Sequence, residues 1–186
     1  ENGSPLIHIS KQVKNKLQQE SGDDVYLAMR YGNPSIKNVL KELERKDYHS
    51  LTIVPMYPQN AASTTSSSVE EVFKHLKKWE YFPEIKVITE FWNHPLYLET
   101  FSNHIKKFNP ENFDHVVFSF HGLPLSQVYK AHNDEPCSRF NCVNEINHKN
   151  RNCYQATCYA TANSLAKKLN LSTNFYNIAF QSRLDK

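Results

Sequence analysis

Short apolar runs and helix-period apolar stripes alternate along the whole chain. Lys11 to Glu20 is polar with sparse apolar positions at Val13 and Leu17, which predicts a helix. Val25 to Met29 is a short apolar run and predicts a strand. Asn33-Pro34-Ser35 then opens a helix, with Pro34 expected at the first helical position behind an Asn cap. Ile36, Val39, Leu40 and Leu43 form its apolar stripe. Leu51 to Met56 reads as a buried strand ended by Pro55 and Pro58, and Ser66 to Trp79 as a helix with Val69, Val72, Phe73 and Leu76 on one face. Ile85 to Phe91 predicts a strand, Pro95 to Phe108 a helix and His115 to Phe120 a strand. Thr157 to Leu169 predicts a helix and Phe175 to Phe180 a last strand.

Strands separated by helices of this length argue for an α/β fold with parallel sheets covered on both faces. Ligands in such sheets bind beyond the carboxyl ends of the strands. The positions of interest are therefore Arg30-Tyr31, Tyr57 to Ser63, His94, His121-Gly122 and Gln181 to Arg183. The one long irregular stretch, Leu123 to Asn152, holds most of the cysteines, and loops of that length are usually functional or disordered.

Composition narrows the field. The chain has 186 residues, with 22 Lys+Arg against 19 Asp+Glu and a formal net charge of +3. That spread, mild excess argues against a nucleic-acid partner. No apolar run is long enough to span a bilayer, and no basic-then-apolar leader opens the chain, so a cytoplasmic location is expected. Only four glycines occur, which leaves little room for a Gly-rich phosphate loop. All four cysteines lie between Cys137 and Cys158, and in a cytosolic protein such a cluster suggests metal before disulfide.

At the strand ends each residue type has two readings. His121 can bind a metal or take a proton near neutral pH, or merely cap its strand. Arg30 beside Tyr31 suits a carboxylate, or an ion pair within its own domain. Met56 and Tyr57 line one strand exit, as a binding surface or as plain packing. Ser63-Thr64-Thr65-Ser66 can cradle an anion at a helix start or simply cap the helix.

Taken together, five stretches carry a resemblance to ferrochelatases over nearly the whole chain. They are Gly3-Ser4-Pro5-Leu6, then Ala28-Met29-Arg30-Tyr31-Gly32-Asn33-Pro34-Ser35-Ile36, then Pro55-Met56-Tyr57-Pro58-Gln59 with Ser63-Thr64-Thr65, then Ser119-Phe120-His121-Gly122-Leu123-Pro124, and last Phe180-Gln181-Ser182-Arg183. The resemblance implies two similar parallel-sheet, Rossmann-like domains with a porphyrin between them, each only partly present. Residues 1–95 are expected to be the later part of the first domain, 96–110 a connecting helix, and 111–186 the first part of the second. A cysteine-bearing insertion is expected at 123–158. The implied activity is insertion of Fe2+ into a porphyrin, protoporphyrin IX by preference, with release of two protons. His121 is implied as the catalytic residue that binds the incoming metal or accepts the pyrrole protons. Arg30, Tyr31, Met56, Tyr57, Ser63 and Thr64 are implied at the porphyrin site. The family's opening strand and porphyrin-covering lip would precede Glu1, and its glutamate facing the histidine would follow Lys186. This stretch alone is therefore expected to be inactive.

Cys137, Cys142, Cys153 and Cys158 stand with four, ten and four residues between them. The animal type of ferrochelatase places one cluster ligand at the position of Ala62, so that arrangement is absent here. The quartet resembles instead the internal segment with which certain bacterial relatives hold a [2Fe–2S] cluster. Tetrahedral Zn2+ is the alternative on chemistry, and His132 and His148 keep a mixed Cys/His zinc site open. Cys158 is expected at the start of the following helix. Two rival functions are a cobalt or nickel chelatase for another tetrapyrrole and a non-catalytic metal- or haem-binding module built on the cysteine loop. Protoporphyrin against coproporphyrin, monomer against homodimer, and peripheral contact with a membrane surface are left open.

Overall fold

The computed structural model describes residues 5–182, so Gly3, Ser4 and Arg183 of the motifs above lie outside the described residues. The chain forms two compact units, one of Glu1–Val54 with Ser67–Val87 and the other of Pro55–Ser66 with Ile88–Lys186. Both are α/β, and each holds one pair of parallel strands.

In the first unit, helices α1 (Pro5–Ser21), α2 (Ile36–Leu43) and α3 (Ser67–Leu76) accompany strands β1 (Ser50–Ile53) and β2 (Glu84–Val87). β1 and β2 pair in parallel, from Ser50 opposite Glu84 to Ile53 opposite Val87. The stripe Ile36, Val39, Leu40 and Leu43 is buried as its spacing predicts, and it packs with Val72 and Leu76 of α3. Phe73, expected on the same face, is exposed instead. Leu76 is fully buried at the centre of this cluster. Leu76→Ala should therefore destabilise the unit by about 3 kcal/mol, a lost side chain plus the void it leaves. Denaturant unfolding of the variant beside the parent measures this, and a change under ~0.5 kcal/mol would place the core elsewhere.

Val25 to Met29 joins no ladder among the described residues; only Met29 forms a bridge, with Ser35. Its backbone polar groups close a local loop instead, Met29 N–H donating to Pro34 O at 2.7 Å and Ile36 N–H to Met29 O at 3.3 Å. Pro34 is not the first helical residue: the Asn33–Pro34 peptide is cis and α2 begins at Ile36. Ser35 is the cap, its hydroxyl accepting from Asn38 N–H at 3.3 Å. α1 also starts earlier than its polar pattern suggests, at Pro5.

The second unit carries α4 (Pro95–Lys106), β3 (Val116–His121), α5 (Leu125–Tyr129), α6 (Tyr154–Lys168) and β4 (Tyr176–Gln181). β3 and β4 run parallel in register, ending on His121 opposite Gln181. Leu98 of α4, Phe118 of β3 and Ala162, Leu165 and Ala166 of α6 make the core over this sheet. Ala162 and Ala166 are the small residues that α6 buries there. Residues 55–66 cluster with this unit, not with the 1–95 segment expected from sequence. Phe91 N–H donates to Pro58 O at 3.0 Å, and the buried Gln59 amide donates to Thr161 Oγ1 of α6 at 3.0 Å.

Candidate active site and metal centre

β3 is a run of apolar and small residues that ends on His121, and the next residue, Gly122, turns the chain away. Gly122 N–H donates to Gln181 O at 2.6 Å, which continues the ladder one step past the strand. The His121 side chain is exposed at this carboxyl edge. Its carbonyl accepts a hydrogen bond at 2.9 Å from Tyr154 Oη, at the start of α6. The backbone under the imidazole is thus held from two sides, by β4 and by α6. Tyr154 escaped the sequence reading; its signal was its place directly after a cysteine at a helix start.

Met56 and Tyr57 follow β1 and are both exposed, Met56 by 66%. Ser63 and Thr64 lie in a single wide turn, Ala62–Ser66, closed by Ser66 N–H to Ala61 O at 3.2 Å. Ser63 is exposed, whereas Thr64 Oγ1 donates back to Ala61 O at 3.3 Å.

Arg30 and Tyr31 belong to the first unit. The Arg30 guanidinium lies 4.8 Å from the Tyr31 ring centre, and Tyr31 is otherwise exposed. Arg30 Nε donates to Ser67 O and Ser67 Oγ, both at 3.1 Å, and its ion pair with Glu71 spans 4.0 Å. The Glu71 carboxyl is held below the usual carboxylate range, first by the hydrogen bond with His75 and then by Lys74 and Arg30. Glu71 therefore stays ionised into acid and keeps Arg30 oriented there. The reading as an ion pair within its own domain is the one seen here, with Arg30 Nε anchored on Ser67 and the guanidinium paired to Glu71.

The cysteine segment folds into a small lobe. Its core is Val128, Cys142, Cys153 and Ala156, with Leu123, Tyr129, Cys137, Phe140 and Ile146 packed against it. Asn150 supplies polar order: fully buried, it donates to Phe140 O and to Glu145 O, each at 2.9 Å, and accepts from Asn147 N–H at 2.8 Å. Asn141, in the left-handed region at φ 56°, reverses the chain between Cys137 and Cys142. The lobe gathers His132 Nε2 and the sulfurs of Cys137, Cys142 and Cys153 within 4.8 Å of one another. Cys137 Sγ stands 3.6 Å from Cys153 Sγ, and Cys142 Sγ 3.3 Å from His132 Nε2.

Cys158 is not in this group. α6 begins at Tyr154 with Cys153 as its cap, so Cys158 lies inside the helix and not at its start. The electrostatics single out one sulfur of the group, Cys153, while Cys137, Cys142 and Cys158 are all raised. Cys153 is pulled down to about 5, first by the hydrogen bond from the Cys137 thiol, with the Ala156 N–H and His132 adding to it against the cost of burial. Cys142 is pushed up to about 11 and Cys158 to about 12, in each case first by burial. His148 is not part of the cluster.

Comparison with known proteins agrees with the motif reading. The ferrochelatase family model matches residues 1–186. A curated ferrochelatase of Legionella pneumophila strain Philadelphia 1 is 43% identical over 188 residues, covering 100% of this chain and 55% of the relative. One from Coxiella burnetii strain Dugway is 38% identical over 191 residues, covering 99% of this chain and 52% of the relative. The chain thus spans about half the length of these relatives. No helix among the described residues is long and apolar enough to cross a membrane.

Proposed function

Because this chain belongs to the ferrochelatase family, we propose that it carries the histidine half of an active site that inserts Fe2+ into a porphyrin, in haem biosynthesis. The observation that supports this most is His121, exposed at the carboxyl end of β3 with its backbone fixed by Gln181 and Tyr154.

Metal insertion must take two protons from pyrrole nitrogens while the iron sheds its water. A neutral imidazole can accept a proton or offer a lone pair to iron. It cannot do both with one nitrogen at one time. His121 on a rigid strand end meets the need for a fixed base or ligand, since a misplaced group loses most of its effect. Tyr31, Met56 and Tyr57 present exposed aromatic and thioether faces suited to a flat macrocycle. Arg30, with Ser63 and Thr64, suits the propionate carboxylates. A cytoplasmic setting, with contact to the membrane surface that supplies a poorly soluble porphyrin, belongs to the same reading.

The cysteine lobe takes no part in the chemistry at His121, because insertion transfers no electrons. Its role is structural or redox-sensing, whether its resident group is an iron–sulfur cluster or zinc. The test is consumption of ferrous iron that depends on added porphyrin, by a chain of full family length. Iron consumption without porphyrin, or none at all while the lobe keeps its metal, would leave a binding module as the better account.

A further inference from the structure

The geometry points to a single tetrahedral ion, zinc, held by His132 Nε2 and the sulfurs of Cys137, Cys142 and Cys153, with Cys158 outside the ligand set. This deepens the reading of the lobe and stands independently of the chemistry at His121.

The distances carry the argument. Two thiolates bound to one tetrahedral ion at about 2.3 Å stand about 3.8 Å apart, and a thiolate and an imidazole nitrogen slightly less. The observed contacts are 3.6 Å between Cys137 and Cys153 and 3.3 Å between Cys142 and His132. No pair in the group exceeds 4.8 Å. A [2Fe–2S] cluster is bound through two irons held apart by bridging sulfides. Its thiolates on opposite irons must therefore spread well beyond the edge of one tetrahedron. The lobe does not fit that group, and no step is assigned to it.

Helix geometry removes the fourth cysteine. Cys153 caps α6 and Cys158 lies five residues on, which is about 7.5 Å along the axis and about 140° around it. With the helix beginning at Tyr154, both sulfurs cannot meet one ion. His132 fills the fourth place and gains by it. Its ring is buried, 3% exposed, and stacked on Phe140 with centres 4.2 Å apart and planes 8° from parallel. Nδ1 has no hydrogen-bond partner, so a contact to sulfur is the ring's polar company. Burying an imidazole on such terms is costly unless Nε2 binds something stronger. Three soft thiolates and one imidazole in tetrahedral array are a zinc donor set.

The test is metal analysis and X-ray absorption on the full chain, purified from cells supplied with both iron and zinc. One zinc per chain, no inorganic sulfide, and a shell of three sulfurs and one nitrogen are expected. Cys158→Ser should keep that zinc, whereas H132A should lose it and His132→Cys should regain it with four sulfurs. Two irons with sulfide, a four-sulfur shell in the parent, loss of metal in Cys158→Ser, or a chain that binds no metal would each overturn the proposal. Should H132A fail to fold, the parent's spectrum and Cys158→Ser still decide. Iron insertion can fail while this zinc is present, so the two readings fall separately.

Discussion

Replacing His121 by alanine should lower the rate of iron insertion by about 10²–10⁴-fold, the usual worth of a positioned acid–base group, while porphyrin binding survives. The two parts of this expectation come from different features. The rate depends on the imidazole at the edge of β3, where the chain ends its ladder against Gln181 and the side chain stands in solvent. Binding is proposed to rest on other residues, Arg30, Tyr31, Met56 and Tyr57, which the substitution leaves alone. The backbone contact from Tyr154 goes to the His121 carbonyl and not to its ring, so it too survives in the variant. Steady-state rates at saturating porphyrin, together with fluorescence titration of porphyrin, separate the two. Near-normal turnover would remove His121 from the chemistry.

Asn150→Ala should destabilise the cysteine lobe by about 3 kcal/mol. This side chain makes three hydrogen bonds, to Phe140 O, Glu145 O and Asn147 N–H, from a fully buried position. Alanine leaves those groups without it in a region that water does not reach, and each buried group left unpaired costs about 1–3 kcal/mol. Cleavage within 130–152 by a dilute protease should therefore accelerate strongly, and Asn150→Asp should do no better, because a carboxylate cannot donate to two carbonyls. Unchanged proteolysis would show that the lobe is ordered by other contacts.

The alternation of strands and helices was legible in the sequence because the apolar spacing is strong where the core is. Ile36, Val39, Leu40 and Leu43 are buried as their period requires, and β3 and β4 fall within one residue of their apolar runs. Val25 to Met29 misled, since an apolar run becomes a strand only when a neighbour offers it a ladder, and no run of residues records its neighbour. Asn33-Pro34 misled because a proline before a helix fits several backbone paths, and Ser35 supplied the cap.

His121 was visible as a polar residue at a strand end, whereas Arg30 stood out only because a strand was expected before it. The symmetric cysteine spacing suggested four equivalent ligands, but the helix that starts between Cys153 and Cys158 breaks the symmetry. His132 enters the cluster through the turn at Lys130–His132, a tertiary consequence with no mark in the local pattern beyond its nearness. Asn150 looked like one more polar loop residue until its burial was known.

The most direct test of the central claim follows porphyrin absorption and proton release together, under strict exclusion of oxygen, as Fe2+ is mixed with a chain of full family length and porphyrin. The account predicts that the free-base visible bands collapse to the simpler spectrum of the metalloporphyrin, with two protons released per iron inserted. A folded protein that binds the porphyrin yet leaves its bands unchanged and releases no protons would contradict it.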